Sequence, residues 1–181
     1  MMLDWHEYSD DDRFLKEELL PYAEDLLHFI ETRFRGRREG KLVLAPLQSV
    51  ETYFDTTNPI TVVAGLIAVT ERILALSSEK VVHREYFQRF QTMIPELPVR
   101  IDMSGNPVLA PADMYEDRRM NVESPEFYTV YPFRLFTHEK GDHRRMEDTW
   151  RTVNALTGCF RPHRFENPPG APSRSEERRV G

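Results

Sequence analysis

A single cysteine, Cys159, in 181 residues leaves no partner for an internal disulfide and no thiolate set for a cysteine-based zinc site, and it leaves the redox compartment open. The six histidines, His6, His28, His83, His138, His143 and His163, never fall into the H-E-x-x-H spacing, so no metal is expected. Eight glycines are scattered and form no phosphate-cradling loop, so no nucleotide or other cofactor is expected either. Long apolar runs are missing too. The longest, residues 62–69, is broken by Gly65 and followed by Glu71 and Arg72, well short of the roughly 18 apolar residues that a spanning helix needs. The opening MMLDWHEYSDDD lacks the basic-then-apolar order of a secretory signal. An excess of basic charge is also absent. Lys+Arg 24 against Asp+Glu 30 gives a net charge of -6, which repels phosphate backbones and argues against nucleic acid as a partner.

What is present fits one soluble globular domain: 40% hydrophobic and 30% charged residues, with no internal repeat and no second domain. The last eight residues, Arg174 to Gly181, read like the in-frame translation of a sequencing adapter. They follow an Asn167-Pro168-Pro169-Gly170 stretch that by composition favours a solvated tail. Residues 159–181 are therefore expected to be a disordered or artefactual tail, and residues 1–158 a fragment of one domain.

The pattern is mainly helical. Asp10, Asp11 and Asp12 precede Phe14, Leu15, Leu19, Tyr22, Ala23, Leu26, Leu27, Ile30 and Phe34, whose spacing predicts one long amphipathic helix with Pro21 as a kink or junction. Gly36 and Gly40 end it around a basic run of Arg33, Arg35, Arg37, Arg38 and Lys41, which suits a solvated helix C-terminus. Residues 42–45 form a short apolar strip, and residues 46–58 read as a loop too polar for the core. Asn58-Pro59 predicts a cap and first position for a helix apolar nearly all round, from Val62 to Leu74, which should be buried. A second amphipathic helix carries Val82, Tyr86, Phe87, Phe90 and Ile94. Residues 99–111, with Gly105-Asn106-Pro107, read as a short hairpin. Ser124-Pro125 predicts a short aromatic helix, and Asp142 caps a final one that Gly158 stops.

Carboxylates concentrate in two loops, Glu51 and Asp55 in one and Glu123 and Glu126 in the other, with Tyr53, Phe54, Phe127, Tyr128 and Tyr131 beside them. Paired carboxylates suit glycoside hydrolysis, where one donates a proton to the leaving oxygen while the other activates water or attacks the sugar. The same residues also serve as first-turn partners of helix dipoles, and the aromatics as core. Cys159 with His163 four residues later is weak ground for a thiol enzyme.

A family resemblance begins at these loops. Gly40-Lys41-Leu42-Val43-Leu44-Ala45-Pro46, then Ser49-Val50-Glu51 and Asp55, resembles the G-x-L-V-x-x-P-S-x-S-P-E-N stretch of glycoside hydrolase family 95. Phe14-Leu15 through Leu20-Pro21 is similar to that family's FL…YP helix, and Leu97-Pro98, Gly105 with Leu109, and Pro125 to Pro132 follow the order of its later motifs. Thr57-Asn58-Pro59 and Asn121-Val122-Glu123-Ser124-Pro125-Glu126-Phe127-Tyr128 resemble more closely a divergent group of family-95-like bacterial hydrolases. The likeness is collinear over roughly residues 11–157. It implies a partial (α/α)6 toroid of α-hairpins, an inverting hydrolase of terminal α-linked L-fucose or L-galactose, and an oligosaccharide or glycan as partner. It implies Glu51 as general acid, with Asp55, Asn58, Asn121, Glu123 and Glu126 lining the sugar pocket. The family's base is an Asp further downstream that this chain does not contain, so the chain alone is expected to be inactive. The family's histidines are replaced here by Asn121, Glu123 and Glu126, which leaves sugar specificity open. The competing class is a helical binding or scaffold module that keeps the toroid without the chemistry. The two acidic loops are expected at the same end of the helices.

Overall fold

A computed structural model describes residues 1–158, with the side chains of the last two left aside. The adapter-like tail, Cys159 and His163 lie outside the described residues. Chain order runs α1 (Met2–Ser9), α2 (Asp12–Phe14), a π-helical turn (Leu15–Leu19), α3 (Leu20–Arg33), β1 (Arg37–Arg38), β2 (Lys41–Leu42), β3 (Leu47–Ser49), β4 (Tyr53–Thr56), α4 (Ile60–Ala75), α5 (Arg84–Met93), β5 (Val99–Ile101), β6 (Pro107–Leu109), a 3-10 turn (Pro125–Thr129) and α6 (His143–Gly158). About half of the described residues are helical, and the strands form three separate antiparallel pairs, β1-β2, β3-β4 and β5-β6.

The first long helix forms as its spacing predicts. Asp11 caps it by accepting from the backbone N–H of Arg13 and Phe14, both at 3.0 Å. Pro21 falls at a junction, one of the two roles expected of it: a π-helical turn, Leu15–Leu19, ends just before it, and α3 starts at Leu20 with the proline in its first turn, so residues 12–33 stay helical throughout. Leu15, Leu19, Leu20, Ala23 and Leu27 form its buried stripe, whereas Tyr22 and Leu26, expected on that stripe, are exposed.

The nearly all-apolar α4 is the central element. Val63, Leu66 and Ile73 face a core shared with Leu15, Leu27, Leu42, Leu44, Phe87 and Phe90, while Ile60, Ala64 and Ala68 face a second cluster with Leu109, Leu135 and Phe136. A helix packed on two sides needs apolar residues on two faces, which is why its pattern shows no clean polar stripe. Gly65 lets the Phe133 ring lie against α4; a Cβ there would stand 3.1 Å from that ring. Thr149 on α6 accepts from the Leu109 N–H at 2.9 Å and fastens α6 to β6.

Several local expectations are corrected. Residues 46–58 form the β3-β4 hairpin, not a loop outside the core. Their polarity is no obstacle, because each buried hydroxyl donates to a backbone carbonyl: Ser49 to Pro111 at 2.7 Å, Thr52 to Glu123 at 3.0 Å and Thr56 to Leu47 at 3.1 Å. The basic run does not end in a solvated helix terminus alone. Arg37 and Arg38 pair with Leu42 and Lys41 across a tight turn in which Glu39 and Gly40 have φ of 51° and 79°. Asn58 is no side-chain cap, since its amide points elsewhere. The short aromatic helix opened by Ser124-Pro125 is present as a 3-10 turn, Pro125–Thr129, that stops before Val130 and Tyr131 and has no side-chain cap bond from Ser124. The opening residues, read only for a signal, form α1 and bury Leu3 and His6. The hairpin expected in residues 99–111 is present as β5-β6, its turn held by Asp102, which accepts from Ser104 and Asn106 N–H, each at 2.8 Å.

Candidate functional site

Two chain segments far apart in sequence meet at the start of α4. The hairpin β3-β4 is anchored below by Ser49 and the Pro111 carbonyl, which also accepts from the Ile60 N–H at 2.8 Å. At its tip Thr52 binds both ways, donating through its hydroxyl to the Glu123 carbonyl and accepting through its own carbonyl from the Met120 N–H at 3.0 Å. Arg119 shapes the opposing loop from within. Its guanidinium donates to the carbonyls of Asn121, Val122 and Glu123 at 2.9, 2.8 and 2.7 Å and to the Ser124 hydroxyl at 2.9 Å. A cation that collects three carbonyls of its own loop holds that loop in one shape.

Between the two lies an open cleft of about 670 Å³ lined by Gln48, Val50, Glu51, Thr61, Asn121 and Glu123. Glu51 and Glu123 are exposed and Asn121 is half-buried. Val50 is unusual: a β-branched residue at φ 49°, in the left-handed region, next to Glu51. Backbone held there costs of order 1–3 kcal/mol and persists where the surroundings over-determine it, often at functional sites.

The other three candidates lie elsewhere. Asp55, also at positive φ, lines a smaller depression of about 270 Å³ with Phe54, Glu116, Arg118 and Met120. Asn58 is buried and structural in its bonding. Its Oδ1 accepts from the Leu44 N–H at 2.8 Å and its Nδ2 donates to Asp113 Oδ2 at 2.7 Å. Glu126 is 3% exposed, and its Oε2 has no hydrogen-bond partner among the described residues. Burial pushes its carboxyl above the usual range, against a smaller opposing pull from its own backbone N–H and from Arg100 and Arg119. The same burial raises the phenols of Tyr53 and Tyr115, whose rings meet edge to face with centroids 5.2 Å apart.

No protein-family model, no curated protein and no solved structure matches this chain.

The structure therefore brings together Glu51, Asn121 and Glu123, and keeps Asp55, Asn58 and Glu126 out of their cleft. Thr52 and Arg119 escaped the sequence reading. Thr52 fills the place of the asparagine in the S-P-E-N stretch, where its residue type points to no chemistry, Arg119 stands in no motif, and both act on backbone carbonyls whose direction is set only on folding. Chemically the cleft offers two carboxylates and two amides beside the first turn of α4. That set suits a neutral, hydroxyl-rich ligand, whose O–H groups donate to carboxylate oxygens and accept from amide N–H.

Proposed function

We propose that this chain is part of an (α/α)6 carbohydrate-active domain that hydrolyses terminal α-linked sugars, with Glu51 as proton donor and the base supplied from outside the residues described here. The observation that carries the reading is the shared cleft. Two acidic loops, 72 positions apart at Glu51 and Glu123, converge on one opening at the end of α4, as a toroid with its active site at one mouth requires. Glu123 and Asn121 stand where the resemblance places neutral histidines, so the ligand's hydroxyls meet an acceptor-rich wall, which alters the sugar preference.

A second reading, a sugar-binding module without turnover, draws on Val50. The family motif has proline at that position, and proline locks φ near −65°, whereas Val50 sits at φ 49°. The backbone carrying Glu51 therefore differs from the one a proline would impose, and a general acid depends on its placement to within fractions of an ångström.

Titrating the labelled chain with L-fucose, L-galactose and their α-linked aryl glycosides, followed by NMR, tests both. Shifts at the amides of Gln48, Glu51, Asn121 and Glu123 are expected. In a sequence extended to include the base, Glu51→Gln abolishes aryl-glycoside turnover and leaves binding intact on the first reading. Binding with no turnover before mutation selects the second, and no response at these amides overturns both.

A further inference from the structure

Away from the cleft, the corner between α1 and α2 gathers one imidazole and two carboxylates. A ring nitrogen of His6 and one oxygen each from Asp10 and Asp12 all lie within 4.8 Å of one another. His6 is 3% exposed, and its Nδ1 lies 3.3 Å from the Asp11 carbonyl. That contact holds the ring proton on Nδ1 and leaves the Nε2 lone pair with no hydrogen bond among the described residues. A carbonyl behind one nitrogen fixing the tautomer of the other is how metal-binding histidines are commonly oriented.

A cation already occupies the corner. The Lys80 ammonium lies 2.7 Å from Asp12 Oδ1 and 3.4 Å from Asp10 Oδ1. Asp12 is held below its usual carboxylate range chiefly by that hydrogen bond. The corner is also well held. Asp10 ends α1 in the left-handed conformation with its N–H on the His6 carbonyl at 2.8 Å, and Asp11 caps α2, so both carboxylates leave a fixed backbone.

We propose that His6, Asp10 and Asp12 form a site for a first-row divalent cation, which binds by displacing the Lys80 ammonium. One imidazole with two carboxylates suits zinc or manganese better than magnesium or calcium, which prefer all-oxygen sets. Three protein ligands leave coordination positions for water. Bound there, the ion ties the C-terminus of α1 to the start of the long helix in place of the ion pairs to Lys80. The spacing, H-x-x-x-D-x-D, belongs to no familiar motif, because its geometry depends on the turn between two helices.

The test is calorimetric titration of the full chain with Zn²⁺, beside Lys80→Met, Asp12→Asn and His6→Gln, with Co²⁺ used to mark the His6 ring in NMR spectra. One-to-one binding is expected, together with a paramagnetic shift of the His6 ring. Affinity should rise about tenfold in Lys80→Met, where the competing charge is gone, and fall about tenfold or more in Asp12→Asn, the range typical when a group supporting a metal is removed. Asp12 and Lys80 are not buried, so both variants should fold even if His6→Gln does not. Equal affinity in the parent and Lys80→Met, Zn²⁺ binding unaffected by Asp12→Asn, or Co²⁺ shifts confined to other histidines would each overturn the proposal.

Discussion

Thr52 Oγ1 donates to the Glu123 carbonyl at 3.0 Å, a bond between residues 71 positions apart that closes one side of the cleft. It joins the tip of the β3-β4 hairpin to a loop that Arg119 shapes from inside. The two acidic segments therefore share an opening because a buried hydroxyl holds them, with no direct contact needed between their carboxylates.

Thr52→Val keeps the shape of the side chain and removes the donor. A loss of about 1 kcal/mol is expected, the net worth of one hydrogen bond, since the Glu123 carbonyl keeps its bond from Arg119; it is read as a lower midpoint in urea. Amide exchange at residues 120–124 should quicken while α5 exchanges as before. Unchanged exchange in that loop would mean that Arg119 alone holds it.

Glu126 makes stability depend on pH. Its folded pKa is raised by burial, so above the unfolded value of roughly 4.3 the unfolded chain ionises while the folded chain keeps its proton. The stability it supports is complete below that value and declines as pH rises toward the folded pKa. Glu126→Gln, neutral throughout, should therefore be more stable than the parent at pH 7 and differ little at pH 4. Urea titrations at the two pH values decide it, and a pH-independent difference would contradict the assignment.

Asn58 combines two bonds with a left-handed backbone at φ 51°. Asn58→Ala loses both bonds, leaves the Leu44 N–H unmatched and replaces a residue type that tolerates the left-handed backbone with one that tolerates it less, about 2–4 kcal/mol in all. Asn58→Gly should recover roughly 1 kcal/mol of that, the share due to backbone conformation. Thermal melts of both variants measure the two contributions separately. Equal losses would show that the side-chain bonds carry the whole effect.

The sequence by itself was enough for whatever depends on neighbours along the chain. Helical periodicity marked residues 12–33, α4, α5 and α6. Asp11 and Asp142 were legible as caps, Asp142 accepting from the Arg145 N–H at 3.0 Å. The turn at Gly105 was legible as well. These follow from spacing and from the local chemistry of caps and turns, which act within a few residues. Tertiary structure alone decided the rest. Residues 46–58 look polar until Pro111, Glu123 and Leu47 supply carbonyls to their hydroxyls. Glu126, three residues after the exposed Glu123, is buried because the 3-10 turn aims it inward, and no local pattern distinguishes the two. His6 meets Asp10 and Asp12 only because a left-handed residue turns α1 into α2. In each case a polar side chain's fate rests on partners that folding brings close, and one-dimensional spacing carries no record of them.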